Sequence, residues 1–334
     1  MERIAVFGSG AWGTALAILL ARNGRSVWLW GRDPKKIAAY RDAGCNLDHL
    51  PEVAFPPGLS LSADLASVLR CSDDGLAVVP SQGFRPLLEA IATHGGIRRL
   101  AWGTKGLEPG SRRLLHQVVA RLLGPIPAAV VSGPSFAAEV ARGLPTAVTV
   151  ASEDADFATE LAAALHNDSF RAYTSRDVVG VEIGGAAKNV MAIAAGISDG
   201  LGFGANARAA LITRGLAEIG RLGLALGGEM QTFMGLAGLG DLVLTCTDDQ
   251  SRNRRLGLLL GQGADLETAQ QRLGALTEGV EAAREIHALA EERGVEMPIT
   301  EQVFRVLHEG EDPHEAVRRL LTRTLKPEAL VPPT

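Results

Sequence analysis

The fold is most tightly constrained at residues 8–13, GSGAWG, where three glycines in six positions separate an apolar run from a helical one. Residues 4–7 (IAVF) have the length and composition of a short buried strand. Residues 12–22 (WGTALAILLAR) are helix formers that end at Asn23 and Gly24, where a left-handed cap closes a helix. A second apolar run, 27–30, follows. A G-x-G-x-x-G hexamer alone is weak, but strand, glycine turn, helix and strand in this order form the opening of a dinucleotide-binding fold. Each glycine then has a physical task. Gly8 permits the sharp turn, Gly10 lets a pyrophosphate approach the backbone, and Gly13 lets the helix lie close on its strand, with the phosphates facing the helix amides and the positive end of the helix dipole.

The second strand ends in GRDP, where such folds meet the adenosine ribose with an acid for a 2′-hydroxyl or an arginine for a 2′-phosphate. Arg32 and Asp33 offer both. Arg32 tilts the expectation to NADP(H) while leaving NAD(H) open, and Asp33 reads as a loop carboxylate.

At 334 residues the chain has room for two domains with separate cores. A net charge of −5, from 33 Lys+Arg against 38 Asp+Glu, and the lack of a basic stripe argue against a nucleic-acid partner. The three cysteines, Cys45, Cys71 and Cys246, are odd in number and far apart, which fits a reducing compartment and no metal cluster. The start, MERIAV, enters a strand rather than a signal core, and no window approaches the roughly 18 uninterrupted apolar residues of a membrane span. A soluble cytoplasmic protein without membrane insertion is expected.

Strand-like runs at 75–80, 97–106, 128–135, 145–151 and 170–175 alternate with helical stretches in the first half. That alternation predicts a mostly parallel sheet covered on both faces. From Val181 onward helical runs dominate: 181–197, 207–226, 265–274, 278–294 and 299–310. A boundary is therefore expected near 178–182, with a Rossmann-like α/β domain over 1–180 and an all-helical domain over 181–334.

Ligands of open α/β sheets lie beyond the carboxyl ends of the strands. Lys105 in WGTKG follows one strand, and Ser132, Gly133, Pro134 and Ser135 follow another. Lys105 is either a cation for a carbonyl or phosphate or a solvated surface lysine. Lys188 in VEIGGAAKNVMAIAAG has so many small and apolar neighbours that burial is expected, and a buried ammonium needs a reason. General acid–base catalysis is one; pairing with a structural acid such as Glu182 is another. In the stretch 235–257, Asp241 follows a glycine-rich bend and Ser251 stands at a helix start, followed by Arg252 and Asn253. Charged and neutral donors beside a positive helix end suit a small phosphate. Arg254 and Arg255 are expected to be solvated.

GSGAWGTALA, KGLE, SGPSFAAEVA, GGAAKNV, TRGL, GLGDLVLTCT, SRNRR and LTEGV occur in an order and spacing that resembles bacterial-type NAD(P)-dependent glycerol-3-phosphate dehydrogenase. The resemblance covers most of the chain. It implies a Rossmann-like domain followed by an all-α domain of the 6-phosphogluconate-dehydrogenase-like type, and the interconversion of dihydroxyacetone phosphate and sn-glycerol 3-phosphate, a precursor of glycerophospholipids. By position in the family motifs, Lys188 matches the catalytic proton acceptor and Lys105 a lysine touching cofactor and substrate. Gly133, Ser135, Asp241, Ser251, Arg252 and Asn253 match substrate contacts. Trp12, Arg32, Ala137, Arg252, Leu276 and Glu278 fall where the family meets the cofactor, beside the loop residues Gly8, Gly10, Ala11 and Gly13. Ala11 stands where Ser is frequent and leaves only backbone donors; Ala187 and Leu276 replace a common Leu and Val. The resemblance also suggests a homodimer.

Two other readings stay open at this point. A 3-hydroxyacid or 6-phosphogluconate-type dehydrogenase shares the two-domain plan and the lysine–asparagine pair, and would place a carboxylate site near Ser132. A non-catalytic NAD(P) sensor would keep the loop and use Lys188 structurally.

Overall fold

The computed structural model describes residues 1–274 and 277–324. The chain forms two compact units, one of Met1–Glu108 with Leu114–Val178, the other of Pro109–Arg113 with the residues from Val179 onward. The short excursion 109–113 is tied to the second unit by its own bonds. The Gly110 amide donates to Glu285 Oε1 at 3.0 Å, and Arg112 pairs with Glu292 at 3.4 Å.

The first unit is built on eight strands: β1 (Arg3–Phe7), β2 (Ser26–Trp30), β5 (Leu59–Ser62), β6 (Asp74–Ala77), β7 (Arg99–Trp102), β8 (Ala128–Ser132), β9 (Thr146–Ala151) and β10 (Phe170–Ser175). β3 (Cys45–Asn46) and β4 (Leu50–Ala54) form a separate two-stranded antiparallel ribbon. The order across the large sheet is β10-β9-β8-β7-β6-β1-β2-β5. All neighbours are parallel except β8 and β9, so β9 and β10 run against the rest. Four of the five residues of β1 and all four of β6 are buried, as strands covered by helices on both faces must be. The chain leaves β1 toward β2 and β5 and returns to β1's other side as β6. A crevice therefore opens beyond the carboxyl ends of β1 and β6, where such sheets bind ligands.

The second unit is helical. Its central helix, Val178–Gly200, is long and apolar enough to cross a membrane by length and composition, yet 89% of that apolar window is buried inside the fold, as in the core helix of a globular protein. Small residues let neighbouring backbones touch it. A Cβ on Gly184 would stand 2.5 Å from the Ala237 carbonyl oxygen, and one on Gly196 would stand 2.0 Å from that of Arg254. From the other side, Cβ atoms on Gly257 and Gly261 would lie 2.0 and 2.5 Å from the carbonyl oxygens of Ile193 and Ile197. Helix Arg252–Gly261 thus packs backbone to backbone on the central helix, closer than helices bearing ordinary side chains can approach. The expected helix over 299–310 is an α-helix, Pro298–Phe304, that widens into a π turn, Arg305–Glu309.

Candidate functional site

In the first unit the loop after β1 is shaped by its glycines. Gly8 has φ of +121°, and a Cβ there would sit 2.3 Å from the Val78 carbonyl oxygen, just past β6. A Cβ on Gly13 would stand 1.9 Å from the Gly8 carbonyl oxygen, so any side chain would prise the helix start from the turn. Gly10 differs: a Cβ built on it meets no protein atom within 4 Å. Helix Ala11–Arg22 starts there with no side chain capping it. An open space beside Gly10 and an uncapped helix start together make a cradle that fits a pyrophosphate, through the amides of the first turn at Ala11, Trp12 and Gly13, while the Gly8 amide is already given to the Trp30 carbonyl at 2.9 Å and shapes the turn. The Trp12 indole nitrogen is buried with no hydrogen-bond partner among the described residues.

The loop is held from a direction the sequence does not reveal. Asn46, on the small ribbon, is fully buried and its Nδ2 donates to the Ser9 carbonyl at 2.9 Å and to Thr14 Oγ1 at 2.7 Å. At the end of β2, Asp33 caps helix Pro34–Ala43, with Oδ1 accepting from the Lys35 and Lys36 amides at 2.9 and 3.3 Å. That carboxylate is committed locally, while Arg32 beside it is exposed. Lys105, half-buried, lies three residues beyond β7. Its neighbour Thr104 donates to the Val79 carbonyl at 2.8 Å and so ties the loops after β6 and β7 together. After β8, Gly133 has φ of +149° against Val148, Ser135 donates to the Gly133 carbonyl at 2.9 Å, and Ala137 opens helix Ala137–Arg142.

In the second unit Lys188 is buried on the central helix, 7% exposed. Its Nζ donates to Asp241 Oδ1 in a short ion pair and to Thr245 Oγ1 at 2.8 Å. Thr245 in turn donates to the Asp241 carbonyl at 2.6 Å. Asp241 is 1% exposed, so the largely buried ammonium meets a compensating carboxylate. The Gly184–Ala237 contact lies one turn earlier on the same helix face and brings the bend before Asp241 against the helix that carries Lys188. The Cys246 thiol, buried beside this pair, is pushed up to about 12 by burial.

Ser251 caps helix Arg252–Gly261, its hydroxyl accepting from the Arg254 amide at 3.2 Å. Arg252 is exposed. Asn253 is buried, and its Oδ1 accepts from the Gly279 amide at 3.0 Å at the start of helix Glu278–Glu292, whose first residue is Glu278. A Cβ on Gly279 would meet both Asn253 Oδ1 and Ile193 Cδ1, which sets Asn253 beside the central helix five residues on from Lys188. Leu276 lies outside the described residues.

Arg254 corrects the expectation of a solvated basic turn. It is buried, 8% exposed, with Nη2 on Asp199 Oδ2 at 2.6 Å, Nε on the Cys246 carbonyl at 3.1 Å, and a short pair to Asp249. Arg255 is exposed. Thr245 was also missed, although Asp241 and Thr245 are four apart on one helix and share a face.

A Rossmann-type unit with an open glycine loop, joined to a helical unit whose core helix carries a carboxylate-held lysine, defines the class of NAD(P)-dependent dehydrogenases. Comparison with known proteins makes this specific. The model for the N-terminus of NAD-dependent glycerol-3-phosphate dehydrogenase matches residues 3–158, and that for its C-terminus matches 177–318. The glycerol-3-phosphate dehydrogenase [NAD(P)+] of Thioalkalivibrio sulfidiphilus is 59% identical over 97% of this chain and 98% of its own. That of Halorhodospira halophila is 56% identical over 97% and 98%. The crystal structure of glycerol-3-phosphate dehydrogenase from Coxiella burnetii superposes with a TM-score of 0.93 at 50% identity, covering 96% of this chain and 99% of that one. The chain belongs to the NAD-dependent glycerol-3-phosphate dehydrogenase family.

Proposed function

We propose that this chain interconverts dihydroxyacetone phosphate and sn-glycerol 3-phosphate with NADP(H) favoured over NAD(H), in the cytoplasm and as a homodimer, supplying glycerol 3-phosphate to glycerophospholipid synthesis. Residues 1–180 are the principal dinucleotide-binding domain and 181–334 the principal substrate-binding domain. The observation that carries the chemistry is the buried Lys188, held by Asp241 and Thr245.

The dinucleotide would be held by Gly8, Gly10, Ala11, Trp12, Gly13, Arg32, Lys105, Ala137, Arg252, Leu276 and Glu278. Reduced nicotinamide, when bound, supplies the hydride that reduces the substrate carbonyl. As negative charge develops on the carbonyl oxygen, Lys188 in its ammonium form donates a proton to it; in the oxidation direction the neutral amine accepts the proton from the hydroxyl. Asp241 and Thr245 fix Nζ so that the transfer needs no side-chain search. Lys105 is a second, preplaced cation that orients the substrate. Gly133, Ser135, Asp241, Ser251, Arg252 and Asn253 complete the substrate contacts. Arg252 and Asn253 grip the phosphate and contribute remote binding energy that keeps the carbonyl in register. The Arg32 guanidinium favours the 2′-phosphate, since the Asp33 carboxylate is already engaged as a helix cap.

The test follows the absorbance of reduced nicotinamide as purified protein receives dihydroxyacetone phosphate or unphosphorylated dihydroxyacetone, with NADPH or NADH. Oxidation far faster with the phosphorylated substrate than with dihydroxyacetone, and faster with NADPH than with NADH, is expected, and Arg32→Ala should weaken NADPH about tenfold while leaving NADH unchanged. Equal rates with and without the substrate phosphate would refute the phosphate anchor. An NADPH preference that survives Arg32→Ala would refute Arg32 as the contact to the 2′-phosphate, and a preference for NADH in the wild type would refute the cofactor assignment.

A further inference from the structure

We propose that Arg254 is a positioning residue for the substrate phosphate: its buried guanidinium locks the turn bearing Arg252 and Asn253 to the helices that carry Lys188, Asp241 and Thr245. This rests on Arg252 and Asn253 holding the phosphate.

Residue 254 is fastened at both ends. Its backbone amide donates to the Ser251 hydroxyl, closing the turn from 251 to 254 with Arg252 and Asn253 inside it. Its side chain reaches back across two other elements. Nη2 donates to Asp199 Oδ2 at 2.6 Å, and Asp199 stands on the central helix eleven residues after Lys188, about three turns on and therefore on the same face. Nε donates to the Cys246 carbonyl at 3.1 Å, in the residue next to Thr245 and five beyond Asp241. Asp199 is fixed in turn by Arg208, which donates to both its oxygens at 2.9 and 3.0 Å. The backbone adds its own anchor, because the Arg254 carbonyl lies against Gly196.

One planar fork therefore bridges the three elements that supply the proton donor, its partners and the phosphate grip. A lysine keeps the charge but cannot present separate donors to Asp199 and Cys246 in that plane. A buried ion pair is a poor source of stability against an apolar replacement of similar volume, so stability alone does not account for an arginine here. A fixed spacing between Lys188 and the phosphate grip does, since a misplacement of about 1 Å in a bound substrate costs up to about a hundredfold in rate.

The experiment compares wild type, Arg254→Lys, Arg254→Met, Asp199→Asn and Arg252→Ala. Steady-state kinetics are measured with dihydroxyacetone phosphate and with dihydroxyacetone, alongside inhibition by inorganic phosphate, NADPH binding and thermal unfolding. For Arg254→Lys and Asp199→Asn, the KM for the phosphorylated substrate and the inhibition constant for inorganic phosphate are expected to rise roughly tenfold or more. Turnover of dihydroxyacetone per folded molecule and the NADPH dissociation constant should stay within about twofold. If Arg254→Met does not fold, the lysine and Asp199 variants carry the test. Variants that lose activity on both substrates in equal proportion, or only lose thermal stability, would overturn the proposal and leave Arg254 a structural clamp. If Arg252→Ala weakens phosphate recognition and the Arg254 and Asp199 variants do not, the positioning role alone falls. If Arg252→Ala itself has no effect, the phosphate assignment falls and this proposal with it.

Discussion

Replacing Gly257 with alanine sets two opposed effects against each other, and the structure decides the sign. In a helix interior Gly→Ala gains about 1 kcal/mol of propensity. Here the new methyl would stand 2.0 Å from the Ile193 carbonyl oxygen, 2.8 Å from the Ile197 amide nitrogen and 2.9 Å from the Ile193 carbonyl carbon. All three are backbone atoms that cannot rotate away. Reaching even 3.0 Å requires the two helices to part by about 1 Å, loosening the contacts at Gly196, Gly200 and Gly261 as well. Overpacking of this kind costs about 1–3 kcal/mol in side-chain terms, and a rigid backbone contact belongs at the upper end. The net is a destabilisation of about 1–2 kcal/mol, or a drop in Tm of about 2–8 °C for a unit of this size. Because Asn253 is four residues upstream, the KM for dihydroxyacetone phosphate should rise with it. Gly83→Ala is the control: it sits in helix Ser81–His94 with its nearest neighbour at 3.6 Å, so it should gain up to about 1 kcal/mol. Thermal and urea unfolding of both variants checks this. A Gly257→Ala protein as stable as wild type would show that the helices separate freely and that glycine does not set their spacing.

Gly10→Ala and Gly13→Ala should diverge: the first finds open space and leaves Tm unchanged while weakening NADPH binding, and the second destabilises the unit itself, both readable by calorimetry and cofactor titration. Asn46→Ala should weaken NADPH binding with little change in the KM for dihydroxyacetone phosphate, because it frees the Ser9 carbonyl and the Thr14 hydroxyl behind the glycine loop. Burial raises the Glu218 carboxyl from 4.5 to about 7, against the opposing pull of the Ile299 and Thr300 amides and Arg221. The folded state then binds the proton more tightly than the unfolded one, so its contribution to stability is full below about 4.5 and is lost as pH rises to about 7. Glu218→Gln should flatten the dependence of Tm on pH across that window.

The residues that declared themselves in the sequence did so through local rules. The glycine loop was legible because turn, strand and helix signals sit side by side, and Ser251 because a hydroxyl at a helix start is a capping signal. The ribbon of β3 and β4 was not: CNLDHLPEVA has no clear alternation, and its pairing is held by tertiary bonds such as that from Asn46 to Ser9. The reversed direction of β9 and β10 was equally hidden, since an apolar strand reads the same in either sense. Lys188 and Asp241 are 53 residues apart, and nothing local predicts their ion pair. Arg254 was misread for a different reason. Arg252, Arg254 and Arg255 look alike as composition, but once Ser251 sets the helix phase, Arg254 falls three and seven residues before Gly257 and Gly261 and shares their inward face.

The claim that Lys188 moves the proton is tested most directly by the turnover of dihydroxyacetone phosphate in a Lys188→Ala, Asp241→Asn protein, assayed with and without ethylamine. The second substitution removes the carboxylate that would otherwise be left buried and uncompensated. Retained NADPH binding, a fall in turnover of about a hundred- to ten-thousandfold, and partial recovery with ethylamine are expected. Turnover within a fewfold of wild type, unchanged by the amine, would contradict it.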